Sequence, residues 1–151
     1  MGHTMAKLLL IAATLFVVSV PLNFLWEVAQ MPLYVEEGDL LEFAVHCVVP
    51  SLGDGLIVLI IFGVGVIVLG RTDWFSQPGL GGYALMIFTG FAIALAIEWG
   101  AVYVLDRWSY TARMPRLPGL GVGLSPVLQM LVLPPVIFKF STWWLDRKQR
   151  D

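Results

Sequence analysis

The sequence predicts an all-α integral membrane protein in which four transmembrane helices form a bundle, as a single domain over residues 1–151. Two observations favour this class: 58% of the residues are hydrophobic and only 13% are charged, whereas soluble domains have about 45–50% apolar and about 25% charged residues. A third is that four apolar segments are each long enough to cross a hydrocarbon layer of about 30 Å. They cover approximately residues 7–30, 43–70, 82–105 and 119–145.

Composition and motifs exclude several functions. The formal net charge of -2 and the lack of a basic stripe argue against a nucleic-acid partner. Cys47 is the only cysteine, which rules out an internal disulfide and a Cys-X-X-Cys redox pair. The sequence has no nucleotide fingerprint, haem-attachment motif or catalytic-triad motif, so we expect no cofactor. His46 with nearby carboxylates is only a weak metal-ligand set, and we expect no metal.

The first apolar segment carries polar residues on one helical face. Asn23, Glu27 and Gln30 are spaced i, i+4, i+7, which places them on one stripe of an α-helix. Polar groups on a membrane helix must face protein or water, because acyl chains cannot hydrogen-bond them. We therefore expect this stripe to face the bundle interior, and the segment to be a retained helix rather than a cleaved signal peptide.

The other three segments offer polar partners for this stripe. Asp54 lies between two glycines, where a ligand or another backbone can approach closely. A carboxylate inside a membrane costs roughly 2.5–3.5 kcal/mol, so function is the default explanation for Asp54 and Glu98. The alternative is that these groups only hydrogen-bond the helices together. The candidate partners are His46, Ser51 and Asp54 in helix two, Glu98 in helix three, and Ser125 and Gln129 in helix four.

The depths of these polar residues predict a cavity. Counted along each helix, Glu27 and His46 fall at one membrane interface, whereas Asp54 and Gln129 fall near the middle. The opposite half of the bundle has almost no polar side chains. We therefore expect a cavity that opens towards one side and is closed below by Leu, Ile and Phe.

The distribution of Lys and Arg predicts a multi-pass protein of the cell membrane with both termini in the cytoplasm. We expect Trp and Tyr residues near the span ends to anchor the protein at the interfaces. Trp26, Tyr34, Tyr103, Trp108 and Tyr110 are expected at one interface, and Trp74, Tyr83, Trp143 and Trp144 at the other. The basic residues expected inside are Lys7, Arg71, Lys139, Arg147, Lys148 and Arg150, and those expected outside are Arg107, Arg113 and Arg116.

The connection between helices three and four is basic although it is expected on the outer side. One explanation is pairing with the acidic first loop, which contains Glu36, Glu37, Asp39 and Glu42. The other is that Arg113 and Arg116 bind an anionic head group over the cavity mouth. Both explanations remain open at this stage.

The leading functional hypothesis is a small membrane-embedded enzyme that isomerises, cyclises or hydrates an isoprenoid or sterol-like molecule by acid–base chemistry. Asp54 and Glu98 would be the acid–base pair, with Glu27 and His46 at the rim. The alternatives are a proton-coupled carrier or binding protein, and an assembly subunit of a membrane complex. Expected partners are a lipid-soluble small molecule, membrane lipids and a second copy of the chain. Candidate substrate-binding residues are Asn23, Gln30, Ser51, Tyr103, Arg113, Arg116, Ser125 and Gln129.

Overall fold

A computed structural model describes residues 2–35 and 40–148, with side chains described for residues 5–35 and 45–148. A 3₁₀ turn, Met31–Leu33, follows the first helix, and a π-helical turn, Gly100–Val104, extends the third. The predicted all-α four-helix fold is confirmed, although the third helix begins at residue 79 rather than residue 82. The helices are α1 (Gly2–Gln30), α2 (Leu40–Leu69), α3 (Gly79–Trp99) and α4 (Leu124–Lys148).

Each helix is long and apolar enough to cross a membrane. The helices pack in the order α1–α2–α3–α4, and α4 closes the ring against α1. The start of α1, the end of α4 and the α2–α3 connection lie at one end, which we call the terminal end. The end of α1 with residues 31–35, the start of α2 and the α3–α4 connection lie at the other end, which we call the loop end. Only 22–44% of the most apolar stretch of each helix is buried in the bundle, so the remaining apolar faces are available to acyl chains.

Helix α4 begins at Leu124, five residues after the predicted start near residue 119. The preceding residues form a tight loop that is closed by an isolated bridge between Arg116 and Gly123. Gly119 and Gly121 have φ angles of 78° and 70°, which glycine adopts without the steric cost that other residues meet. The helix therefore starts only once this loop has reversed the chain.

Two glycines allow the helices to approach closely. A Cβ atom built on Gly90 would overlap the carbonyl oxygen of Met130, so the backbones of α3 and α4 are in contact there. A Cβ atom on Gly55 would lie 2.8 Å from the ring of Phe16, so the absence of a side chain at Gly55 allows α1 and α2 to lie close together. Small residues at such contacts are typical of membrane helix pairs.

An aromatic core fills the bundle towards the terminal end. Trp74, from the α2–α3 connection, is fully buried, and its indole N–H donates to the carbonyl oxygen of Phe62 at 3.2 Å. Its ring packs against Phe75 and Phe138. Gly65 makes room for it, because a Cβ atom there would overlap the indole ring. The interpretation of Trp74 as an interface anchor is therefore wrong. Its side chain is buried because Gly65 leaves space for the ring and the carbonyl of Phe62 accepts its N–H.

The two connections at the loop end pair with each other. The N–H of Val35 donates to the carbonyl of Ser109, and the N–H of Thr111 donates to that of Leu33, both at 2.9 Å. These bonds flank an antiparallel bridge in which Tyr34 faces Tyr110. The α3–α4 connection is thereby held across the end of α1.

The expected pairing between this connection and the acidic first loop lies outside the described residues. Residues 36–39 are not described, and neither is the side chain of Glu42.

Candidate functional site: a polar cavity at the loop end

A cavity of about 670 Å³ lies between the helices towards the loop end, and we call it the site cavity. All four helices contribute to its wall, together with residues from both connections. Its apolar lining comes from Val45, Val49, Ile57, Ala94, Ile97 and Met130, and its polar lining includes Glu27, Gln30, His46, Asp54, Glu98, Arg107 and Gln129. A mainly apolar wall with a few convergent polar groups is typical of a small-molecule site.

The amide of Gln129 joins three helices at this wall. Its nitrogen lies 3.0 Å from Asn23 Oδ1, 3.1 Å from Glu27 Oε1 and 2.7 Å from Asp54 Oδ2. The carboxyl groups of Glu27 and Asp54 are also hydrogen-bonded to each other. A hydrogen bond between two carboxyl groups requires a proton on at least one of them, so in this geometry the pair holds a proton.

The number of amide protons supports the same conclusion. The Gln129 amide nitrogen carries two protons but faces three oxygen atoms, so it cannot give each of them a full hydrogen bond. A proton held between Glu27 and Asp54 supplies the missing donor.

A chain of polar side chains orients this amide. The side-chain nitrogen of Gln30 donates to Gln129 Oε1 at 3.3 Å, which turns the nitrogen of Gln129 towards the carboxyl pair. The hydroxyl of Ser125 in turn donates to Gln30 Oε1 at 2.8 Å. On the other side, Asn23 Nδ2 donates to Ser19 Oγ at 2.9 Å. The contact between α1 and α4 is therefore a continuous polar seam that fixes the geometry of the carboxyl pair.

Glu98 has a different environment, made of aromatic donors. It is only 5% exposed and accepts a hydrogen bond from the hydroxyl of Tyr110. The indole nitrogen of Trp108 lies 3.5 Å from the same carboxyl oxygen, and the hydroxyl of Tyr34 also bonds this group. An ionised carboxylate is an acceptor only and can take all three donors.

The backbone after α3 brings these donors back over Glu98. The last turn widens into a π-turn, in which the N–H of Leu105 donates to the carbonyl of Gly100 at 2.9 Å. Asp106 then adopts a φ of 48°, a left-handed conformation that reverses the chain. Trp108 and Tyr110, which follow this reversal, consequently lie against the helix they have just left. Single π-turns are often found at functional sites.

The two phenols are held in their protonated form. Burial raises the pKa of Tyr34 above its ordinary value, and the charge of Glu98 acts in the same direction. Burial also raises the pKa of Tyr110, as does the hydrogen bond that it donates to Glu98. Both side chains therefore remain hydrogen-bond donors at neutral pH.

The structure brings most of the residues selected from the sequence to the cavity or directly behind its wall. Asn23 is buried behind the wall through its contact with Gln129, and Ser51 is buried with its hydroxyl donating to the carbonyl of Cys47 at 2.5 Å. Ser125 reaches the wall through Gln30. The selected residues that line the cavity are Glu27, Gln30, His46, Asp54, Glu98 and Gln129.

Three selected residues lie away from the described lining, in or beside the α3–α4 connection. The hydroxyl of Tyr103 donates to the carbonyl of Gly121 at 3.0 Å. The guanidinium of Arg116 lies 5.3 Å from the centre of the Tyr110 ring, while Arg113 is exposed. The basic residue that the structure places in the cavity wall is Arg107.

The expected separation of Glu27 and Asp54 by depth is not observed. The sequence placed Glu27 at the interface and Asp54 and Gln129 near mid-membrane, yet Gln129 contacts both carboxyl groups. Gln129 is only five residues into α4, or about 7.5 Å along its axis. The prediction placed Gln129 too deep because it assumed that helix four starts near residue 119. In the structure, Glu27, Asp54 and Gln129 lie at one depth, nearer the loop end.

Sequence reasoning missed the residues that surround Glu98. Tyr34, Trp108 and Tyr110 were interpreted only as interface anchors, and Arg107 was not selected. A signal was present: each of these aromatic side chains carries a polar N–H or O–H that needs a partner when buried.

No metal centre is apparent within residues 2–35 and 40–148. In that part of the chain, no group of three or more His, Cys, Asp and Glu side chains is arranged to hold a metal ion.

The fold and the cavity define the class: a multi-pass membrane protein with a buried, protonatable polar site between its helices. Comparisons with protein-family models, with curated proteins and with solved structures found no significant match.

Proposed function

We propose that this protein is a membrane-embedded enzyme that performs acid–base chemistry on a lipid-soluble molecule bound in the site cavity. The observation that carries the proposal is the hydrogen-bonded carboxyl pair of Glu27 and Asp54, held by Gln129 at the wall of a largely apolar cavity. A carboxyl group that keeps its proton in an apolar site is a proton donor to a weakly basic substrate. Ile57, Ala94 and Met130 offer contact surface for a hydrocarbon skeleton.

Double-bond isomerisation illustrates the chemistry. The Glu27–Asp54 pair gives its proton to one alkene carbon, and the π electrons form the new C–H bond. A neighbouring carbon then loses a proton to the Glu98 carboxylate, and the electrons of that broken C–H bond form the new double bond. Return of the proton from Glu98 to the pair restores the starting state, so no co-reactant is consumed. Cyclisation and hydration begin with the same protonation.

Glu98 suits the second role because of its position and its partners. It belongs to α3, diagonally across the ring from Glu27 on α1, and both residues line the same cavity. Its negative charge stabilises positive charge that develops on a substrate between the two sites. The three aromatic donors keep the carboxylate fixed, so little reorganisation is needed during the reaction.

The closed terminal half favours an enzyme over a carrier. Trp74, Phe62 and Phe138 are buried in the core towards the terminal end, and their close packing opposes a polar path through the bundle. A carrier requires alternating access from both sides of the membrane.

Deuterium incorporation tests the proposal before the substrate is known. Purified protein would be incubated in D₂O with a neutral-lipid extract, and the lipids analysed by untargeted mass spectrometry. Protonation at carbon by a group that exchanges with solvent leaves deuterium in the product. We expect one lipid class to gain deuterium with the natural protein, and Asp54→Asn to slow this by about 10²–10⁴-fold.

The controls separate chemistry from folding. Glu27→Gln and Glu98→Gln should also lose activity, whereas Asp73→Asn, which changes an exposed loop carboxylate, should retain it. Each variant would be checked for an unchanged melting temperature. Full deuterium incorporation by folded Asp54→Asn would refute the proposal.

Orientation is part of the same proposal: the terminal end faces the cytoplasm and the cavity opens on the opposite side of the cell membrane. The excess of Lys and Arg in the segments at the terminal end supports this direction. The variant Ala112→Cys, in a Cys47→Ala background, should be labelled in intact cells by a membrane-impermeant maleimide. The variant Lys148→Cys, in the same background, should be labelled only after permeabilisation. The reverse pattern would overturn the proposed orientation.

A further inference from the structure

A second cavity lies at the terminal end, away from the site cavity and between α3, α4 and the α2–α3 connection. It has a volume of about 310 Å³, near the lower limit for small-molecule pockets of about 300–1,000 Å³. Its deepest described residues are apolar: Met86 and Phe138 are each 1% exposed, and Pro135 lies beside them. We call this cavity the terminal pocket.

Charged residues follow one another along the same face of α4. Lys139 and Asp146 both line the pocket and are seven residues apart, or about 10.5 Å along the helix axis. Lys139 is nearer the membrane centre, and Asp146 is two residues before the described end of α4. From the centre outward, the pocket therefore presents an apolar floor, then a cation, then an anion.

This order matches one type of lipid head group. In a phospholipid of the leaflet at the terminal end, the acyl chains point to the membrane centre, the phosphate lies above them and the head-group cation lies furthest out. We propose that the terminal pocket binds a phospholipid with a phosphoethanolamine head group, whose phosphate contacts Lys139 and whose primary ammonium contacts Asp146. The proposal is independent of the chemistry proposed for the site cavity.

The charges discriminate between head groups. A phosphoglycerol lipid carries a phosphate for Lys139 but no cation for Asp146, which would repel its net negative charge. A phosphocholine lipid carries a cation without an N–H donor, so it cannot hydrogen-bond the carboxylate. The ring of Trp143 does not provide a cation–π site for the choline group, because the guanidinium of Arg147 already lies 4.6 Å from the centre of that ring.

Native mass spectrometry of the purified full-length protein tests this inference. The protein would be mixed in detergent with equal amounts of phosphatidylethanolamine, phosphatidylcholine and phosphatidylglycerol that have identical acyl chains. We expect about tenfold preferential binding of the ethanolamine lipid, which corresponds to one charge-assisted contact of about 1.4 kcal/mol. Equal binding of the three lipids would overturn the proposal.

Three variants assign the contacts. Asp146→Asn should remove the preference for the ethanolamine lipid over the glycerol lipid, and Lys139→Gln should weaken binding of all three lipids. Lys148→Gln is the matched control, since it removes an equal charge from the same helix outside the described lining. The same loss with Lys148→Gln as with Lys139→Gln would mean that diffuse charge attracts the lipids, and the assigned site would be wrong.

Discussion

Gln129 on α4 donates a hydrogen bond of 2.7 Å to Asp54 on α2, across the diagonal of the helix ring. The same nitrogen contacts Glu27 on α1, so a single amide connects three of the four helices at the cavity wall. The carboxyl pair is consequently held by the bundle as a whole rather than by either of its own helices. Its protonation, the cavity geometry and the stability of the fold therefore depend on one another.

Removal of this amide should destabilise the bundle. In Gln129→Leu, the partly buried carboxyl groups lose their shared donor, and we expect a loss of about 2–3 kcal/mol in the free energy of unfolding. Denaturant unfolding in detergent, followed by circular dichroism, would measure it. Gln77→Leu, which changes an exposed glutamine in the α2–α3 connection, should have no effect. Equal stability of Gln129→Leu and the natural protein would show that the polar seam is not a stabilising feature.

Gly63 and Gly65, two residues apart on α2, provide a matched test of core packing. A Cβ atom at Gly65 would overlap the ring of Trp74, so Gly65→Ala should destabilise the protein by about 1–3 kcal/mol. A Cβ atom at Gly63 meets no described atom within 4 Å, and Gly63→Ala should be neutral or stabilising by up to about 1 kcal/mol. Melting temperatures of both variants would decide the matter. If Gly65→Ala were as stable as Gly63→Ala, the buried position of Trp74 would be wrong.

The tyrosines around Glu98 predict a loss of stability at alkaline pH. Because folding raises the pKa of Tyr34 and Tyr110 above the ordinary value of 10.0, the unfolded chain releases these protons first. The stabilisation is complete below pH 10.0 and is lost as the pH rises from there towards the folded-state pKa. Each phenol contributes a slope of about 1.4 kcal/mol per pH unit in the free energy of unfolding.

Above pH 10.0, the free energy of unfolding should therefore fall less steeply with pH for Tyr110→Phe than for the natural protein. The expected difference in slope is about 1.4 kcal/mol per pH unit. Tyr83→Phe removes an exposed phenol at the opposite end of the bundle and is the control for loss of a hydroxyl. An unchanged slope in Tyr110→Phe would contradict the placement of this phenol against Glu98.

Access to the site cavity can be tested by cysteine labelling in a Cys47→Ala background. Gly53 lines the cavity, and a Cβ atom there meets no described atom within 4 Å, so Gly53→Cys should react with a charged maleimide. Gly63→Cys also has space but is absent from the described lining, and the charged reagent does not enter lipid. We expect at least about tenfold faster labelling at position 53, since thiol reactivity follows exposure. Similar rates at both positions would mean that the cavity is closed to water.

The sequence was sufficient for the fold because membrane spans are determined by local hydrophobicity. Each helix must satisfy its own backbone hydrogen bonds in lipid, so about 20 apolar residues predict a span without knowledge of its neighbours. The inward-facing polar stripe of Asn23, Glu27 and Gln30 could be predicted for the same reason. Helical phase fixes which residues share a face.

The ends of the helices and the depths of individual residues in the membrane were less predictable, because both depend on the conformation of the loops. Gly119 and Gly121 allow a tight loop in a segment that hydropathy alone assigns to a helix, and the start of α4 moves accordingly. Gln129 moves with it, to the level of Glu27 and Asp54. Trp74 likewise belongs to the core only because Gly65 leaves a gap on the helix against which it packs.

By itself, the sequence determined the four spans, their polar faces and the presence of carboxylates that require partners, since these follow from hydrophobicity and helical periodicity within each segment. Only the tertiary structure decided which carboxyl groups would meet. Glu27 pairs with Asp54, and Glu98 is bound by Tyr34, Trp108 and Tyr110. These pairings depend on the relative heights of the helices and on the reversal of the chain at Asp106, which are set by contacts between segments distant in sequence.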